Sequence, residues 1–160
     1  MQEFFTEYKA VIIFLHIISA VVWIGGMIAM RYAAHPSFMQ IESPLKRLER
    51  ISDALKRLFK IVFIFTLILA ATGAILTIGY QFKYTEYHIY THIKEGIWSV
   101  MIINYFTMIY RRKKADKAIL DGDFVLAKNQ LEPIGKIMVP VNITLGVVAI
   151  MIGAYLSSIL

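Results

Sequence analysis

The chain has 160 residues, is 58% hydrophobic, carries 17 Lys and Arg against 11 Asp and Glu, and contains no cysteine. The missing thiols exclude disulfides, thiolate metal sites, iron–sulfur clusters and covalently attached haem. The net charge of +6 does not point to nucleic acid, because the cations are grouped: seven lie between Arg31 and Lys60 and seven between Arg111 and Lys136, 14 of the 17.

From the N-terminus, Glu3 and Glu7 stand beside Lys9, unlike the basic start of a signal peptide. The first apolar run, residues 10–30, is therefore expected to remain as a membrane span. Ser43-Pro44 reads as a helix start, with Ser as N-cap and Pro in the first position. Leu45, Leu48, Ile51, Leu55 and Leu58 then recur at helical spacing among charged residues. They predict an amphipathic cytoplasmic helix, resting on anionic lipid, that feeds a second span over residues 61–80. A third run covers residues 91–110. Beyond Arg111 the helix is expected to continue, turn at Asp121-Gly122-Asp123 and form a short helix ending near Pro133. The fourth run covers residues 137–158, with Pro140 placed to kink it.

Each run of about twenty residues can cross a hydrocarbon core roughly 30 Å thick. In lipid its backbone must satisfy its own hydrogen bonds, so each is a helix. The expected fold is all-α: an integral membrane four-helix bundle forming a single domain over residues 1–160, with cytoplasmic helical extensions. Basic loops stay in the cytoplasm, which puts both termini and the loop 81–90 outside, and in a bacterium places the chain in the inner membrane. Ala70, Gly73, Ala74 and Thr77, and again Asn142, Gly146, Ala149 and Gly153, form stripes of small residues. Such stripes suit close helix packing and also leave room for a flat cofactor.

His16 lies inside the first span, on one face with Ser19, Ala20, Trp23 and Met27. It is roughly 9 Å from the outward end at 1.5 Å per residue. An ionisable side chain at that depth faces the bundle and is a functional candidate. His92 falls in the first turn of the third span, in the same leaflet. Two such histidines can hold a haem iron from both faces, or a copper ion, and Glu95 is placed to orient one of them. Lys94, two residues on, points about 200° away from His92 on a regular helix. His88 is four residues before His92 and reads as loop. His35 lies past the other end of the first span.

The stretch "LHIISAVVWIGGM" with "THIKEGIWSVMII" resembles a superfamily of four-helix membrane proteins. It includes the HemJ-type protoporphyrinogen oxidases and the CopD copper-resistance membrane domain. Leu15, His16, Trp23, Gly26 and Met27 match the first motif, and His92 and Lys94 match the His-x-Lys of the HemJ branch; "WIGGM" is closer to CopD. The family's Leu-Pro-Arg after the first span has only Arg31 here, and its Asn-Glu-Val-Pro is replaced by "NQLEP". The resemblance implies a haem b protein that oxidises protoporphyrinogen IX and passes electrons toward quinone. His16 and His92 would be metal ligands, Trp23 would line the cofactor, and Lys94 and Arg31 would act on the porphyrin carboxylates. The partners it implies are the bilayer, a porphyrin substrate, a quinone and further copies of the chain. Copper handling of the CopD kind and non-enzymatic electron transfer by a bis-His haem are the alternatives.

Overall fold

The computed structural model describes residues 2–159, apart from the side chain of Lys83. Four long helices make up the chain: α1 (Gln2–Met39), α2 (Pro44–Gly79), α3 (His88–Leu120) and α4 (Phe124–Ser158). No strand occurs among the described residues.

The predicted start of α2 is present, with Ser43 Oγ accepting from the Lys46 N–H at 3.4 Å and Pro44 in the first turn. The amphipathic stretch and the second span form one helix of 36 residues. At 1.5 Å per residue it is about 54 Å long, so part of it projects beyond any bilayer. A turn with Gln81 at φ 54° leads through Phe82–Tyr84 into α3. That helix starts at His88, one turn earlier than the expected 91. Gly122, at φ 77°, makes the expected turn between α3 and α4, and Asp123 Oδ1 caps α4 by accepting from the Leu126 N–H at 2.9 Å.

The regular α-helical stretch Phe124–Pro133 ends at Pro133, as expected, but the chain does not leave the helix there. A π-turn over Ile134–Met138 carries α4 through to Ser158. A matching π-turn, Met30–Ala34, carries α1 past its expected end at residue 30. Both stop two residues before a proline: the His35 N–H bonds to Met30 O ahead of Pro36, and the Val139 N–H to Ile134 O ahead of Pro140. Proline has no N–H and its ring crowds the carbonyl four residues back. The wider turn relieves that crowding.

The helices α1, α2 and α4 are long and apolar enough to cross a membrane. The expected third span, 91–110, is helical but falls short of that apolarity, because it holds Lys94, Glu95 and Asn104. Asn104 works inside the bundle. Its Nδ2 donates to Met138 O and Asn142 Oδ1, both at 2.8 Å, and Asn142 Nδ2 donates to Met101 O at 3.3 Å. Trp23, Met27, Phe59, Val62, Tyr105 and Met108 form the core beside this lock. Tyr105 donates its hydroxyl to Phe59 O at 2.6 Å.

Close approach of α1 and α4 depends on Gly146, which is buried. A Cβ there would lie 2.1 Å from Ile24 Cδ1 and 2.6 Å from its Cγ1. Gly146→Ala is therefore expected to destabilise the bundle by about 1–3 kcal/mol, the usual cost of overpacking. Thermal unfolding of the detergent-solubilised protein reads this directly. An unchanged midpoint would mean that the two helices are not packed at this point.

Candidate functional site

His16 sits near the N-terminal end of the bundle, half-buried, facing α2. Its Nδ1 is 2.9 Å from Thr72 Oγ1. The Thr72 hydroxyl donates to Ile68 O at 2.7 Å, so its proton is engaged and its oxygen accepts from the imidazole. With the Thr72 proton spent on Ile68 O, the network favours the imidazole protonated on Nδ1, which leaves Nε2 unprotonated. This is the tautomer that a metal ligand requires, with the other ring nitrogen held by an outer partner. Thr72 is a usable partner because it is buried on α2. The next residue is Gly73, and a Cβ there would lie 3.4 Å from His16 Cε1.

Lys94 enters from α3. It falls on the side of the helix that also carries Met101, Tyr105 and Met108, all buried. A Cβ on Gly153 of α4 would lie 3.1 Å from Lys94 Nζ, so the lysine tip rests closely against the neighbouring helix at a small residue. No carboxylate pairs with Lys94 among the ion pairs of the described residues. His16 meets Thr72 and Gly73 where α1 packs on α2, and Lys94 meets Gly153 where α3 packs on α4.

The remaining sequence candidates lie elsewhere. His92 is on the opposite side of α3 from Lys94, with 65% of its side-chain surface exposed, and its Nδ1 bonds to Glu95 Oε2 at 3.0 Å. Its ring stacks edge-on with His88 at 6.2 Å. The structure does not bring His16 and His92 to one site, because the helix turn that brings Lys94 inward carries His92 outward. Trp23 lies two turns deeper than His16, 1% exposed in the core and edge-on to Tyr105 at 6.1 Å. The indole nitrogens of Trp23 and Trp98 are buried without a hydrogen-bond partner. Arg31 belongs to the π-turn at the far end of α1, with its guanidinium over the Tyr32 ring at 5.8 Å. Fifteen residues separate it from His16, about 22 Å along a helix, so it cannot join this site. His35, beside it, has its pKa held below the ordinary value by partial burial and by the Arg31 charge.

Sequence reading missed Thr72. The available signal is a hydroxyl next to the glycine of a small-residue stripe, which takes on meaning only once α1 is laid against α2. Among the described residues no three His, Asp or Glu side chains gather as a metal cluster.

At the far end, a cleft of about 350 Å³ opens between α2 and α3, lined by Glu49, Ser52, Lys56, Arg112 and Asp116 among others. Ser52 Oγ and the buried Arg112 both donate to the Asp116 carboxylate. This is a lock between two projecting helices, and it lies far from His16.

No family model, curated protein or solved structure matches the chain.

Proposed function

We propose that the chain is an integral membrane haem b protein, similar in kind to the HemJ-type protoporphyrinogen IX oxidases. The observations that support this reading are His16 of α1, whose Nδ1 is hydrogen-bonded to Thr72 of α2, and Lys94 of α3, which is turned inward against Gly153 of α4 and pairs with no carboxylate among the described residues. Membrane insertion is supported by the apolar side chains on the outer faces, such as Phe14, Ile17, Leu67, Ile103 and Met151, each more than half exposed. It is supported again by the tyrosines at the N-terminal end, where Tyr90 and Tyr155 stack at 5.4 Å, since such rings favour the interface.

In this reading His16 would hold the cofactor iron and Thr72 would keep the imidazole in the ligating tautomer. Bound haem would supply one-electron relay from the porphyrinogen toward quinone. Lys94 anchors a porphyrin carboxylate, for which a partially desolvated ammonium is a strong donor. Gly73 and Gly153 keep the two functional side chains unobstructed. A bis-His electron carrier is less well supported, because His92 faces outward. Copper handling is less well supported because Met27 is fully buried in the core.

The test is the absorption spectrum of the purified protein, with rescue of a bacterium lacking its own protoporphyrinogen oxidase. A reduced b-type spectrum with rescue is expected. A colourless protein overturns the haem reading.

Topology is checked separately, using the absence of native cysteine. Tyr84→Cys should react with an impermeant thiol reagent in intact spheroplasts and Lys113→Cys should not, because basic loops stay in the cytoplasm. The reverse pattern would invert the bundle.

A further inference from the structure

His92, expected as the partner of His16, stands instead with His88. The stretch expected as loop at His88 is helical, since α3 begins there. The two histidines are therefore four residues apart on one face of a helix. That spacing turns the second ring about 40° from the first and lifts it about 6 Å. Their ring centroids lie 6.2 Å apart, with the planes at 80°. Both residues are exposed, on the side of α3 away from Lys94.

Each imidazole has its Nδ1 engaged. That of His88 is 3.0 Å from Thr85 O, and that of His92 is 3.0 Å from Glu95 Oε2. A carbonyl and a carboxylate oxygen only accept, so the network favours a proton on each Nδ1. In the neutral rings both Nε2 atoms then present a lone pair. The two acceptors lie on opposite flanks, Thr85 before the pair and Glu95 after it. The ring edge across from Nδ1 carries Nε2, and it is thereby turned toward the space between the rings. Metal-bound histidines are held in this way, with the second nitrogen donating to a carbonyl or a carboxylate.

We propose that His88 and His92 form a chelating site for a divalent transition ion of the zinc class, bound by the two Nε2 atoms with water completing the coordination. Imidazole nitrogen suits such ions and holds zinc at about 2.0–2.1 Å. Two rings sharing one ion at that distance stand roughly 5–6 Å apart, centre to centre. A small rotation from their present positions is enough. Because both donors are fixed on one helix, the second bond forms intramolecularly, at a high effective concentration. The Glu95 carboxylate places negative charge beside the ion and offsets the positive end of the α3 dipole. Among the described residues no third His, Asp or Glu joins the pair as a ligand, so the donor set is two imidazoles. The site shares no residue with His16 and rests on α3 alone, not on the haem reading.

The experiment uses the full chain, purified in detergent, stripped with a chelator, dialysed free of it and titrated with zinc against a chromophoric zinc indicator. The parent should bind zinc saturably. His88→Ala and His92→Ala should each weaken that binding roughly tenfold or more, because each removes one bond of the chelate. Glu95→Gln leaves Nδ1 an acceptor but removes the charge, and should weaken binding by a smaller factor. His16→Ala and His35→Ala should leave it unchanged. The three α3 side chains replaced are exposed, and circular dichroism of each variant checks that the helices persist. Zinc binding that survives both His88→Ala and His92→Ala, that disappears with His16→Ala, or that is absent below millimolar zinc overturns the proposal. Haem is read separately from the absorption spectrum of the same samples, so failure of the zinc site and failure of the haem reading are told apart.

Discussion

His16→Ala should leave the purified protein without haem, while His92→Ala and His35→Ala should retain the parent's full content. The asymmetry follows from position and tautomer. At its end of the bundle His16 is the histidine turned inward, with Thr72 Oγ1 2.9 Å from Nδ1, whereas the His35 ring packs near Gly135 at the opposite end. His92 is held outward by Glu95, and His35 stands beside Arg31 at the other end of α1. Thr72→Val keeps the shape of the side chain but removes the acceptor. Loss of such an outer partner costs about 10–100-fold in metal affinity, so this variant should show a partial loss of haem at limiting supply and full loading in excess. The check is a pyridine haemochrome assay per mole of protein, with the melting transition of each variant measured alongside. Equal haem in His16→Ala and the parent would remove His16 as a ligand. A haem loss in His92→Ala as large as that in His16→Ala would show that α3 turns in the membrane to bring both histidines inward.

Four helices are legible in the sequence because hydropathy and helical spacing are averages over many residues. Their ends are less so. Pro133 reads as a stop, and the regular α-helix does end there, but a widened turn ahead of Pro140 continues the chain as one long helix. Helical spacing does not distinguish such a widened turn from a break, and Asn104 bonding Met138 O helps hold it. His16 is legible because an imidazole in an apolar run has few explanations. The choice between His92 and Lys94 is not. The two residues lie on opposite sides of the same turn, and spacing alone states only that both cannot face inward. What decides it is the rotation of α3, set by Met101, Tyr105 and Met108 entering the core. Arg31 is misleading for the opposite reason: its proximity in a motif says nothing of depth, and the length of α1 carries it to the far end of the bundle.

Lys94→Met should retain haem and lose rescue of the oxidase-deficient bacterium. This substitution keeps the length and much of the apolar stem while removing the charge. The parent ammonium has no carboxylate partner among the described residues and lies against Gly153. If it anchors a porphyrin carboxylate, its loss removes a charge-assisted hydrogen bond of about 1.5–3 kcal/mol. That corresponds to roughly a 10–150-fold fall in turnover at limiting substrate. Lys94→Arg keeps the charge, but with a larger head against Gly153, and should recover part of the rate. Gly153→Leu should block the position that Lys94 Nζ now occupies and reproduce the Lys94→Met defect with the lysine still present. Rescue is read as growth without added haem, and turnover as porphyrin fluorescence appearing in membranes supplied with porphyrinogen. If Lys94→Met lost haem and rescue in equal proportion, the lysine would belong to cofactor binding rather than to substrate. If the parent carried stoichiometric haem at normal abundance and never rescued, the oxidase reading would fall, and His16 would mark a haem site that only carries electrons.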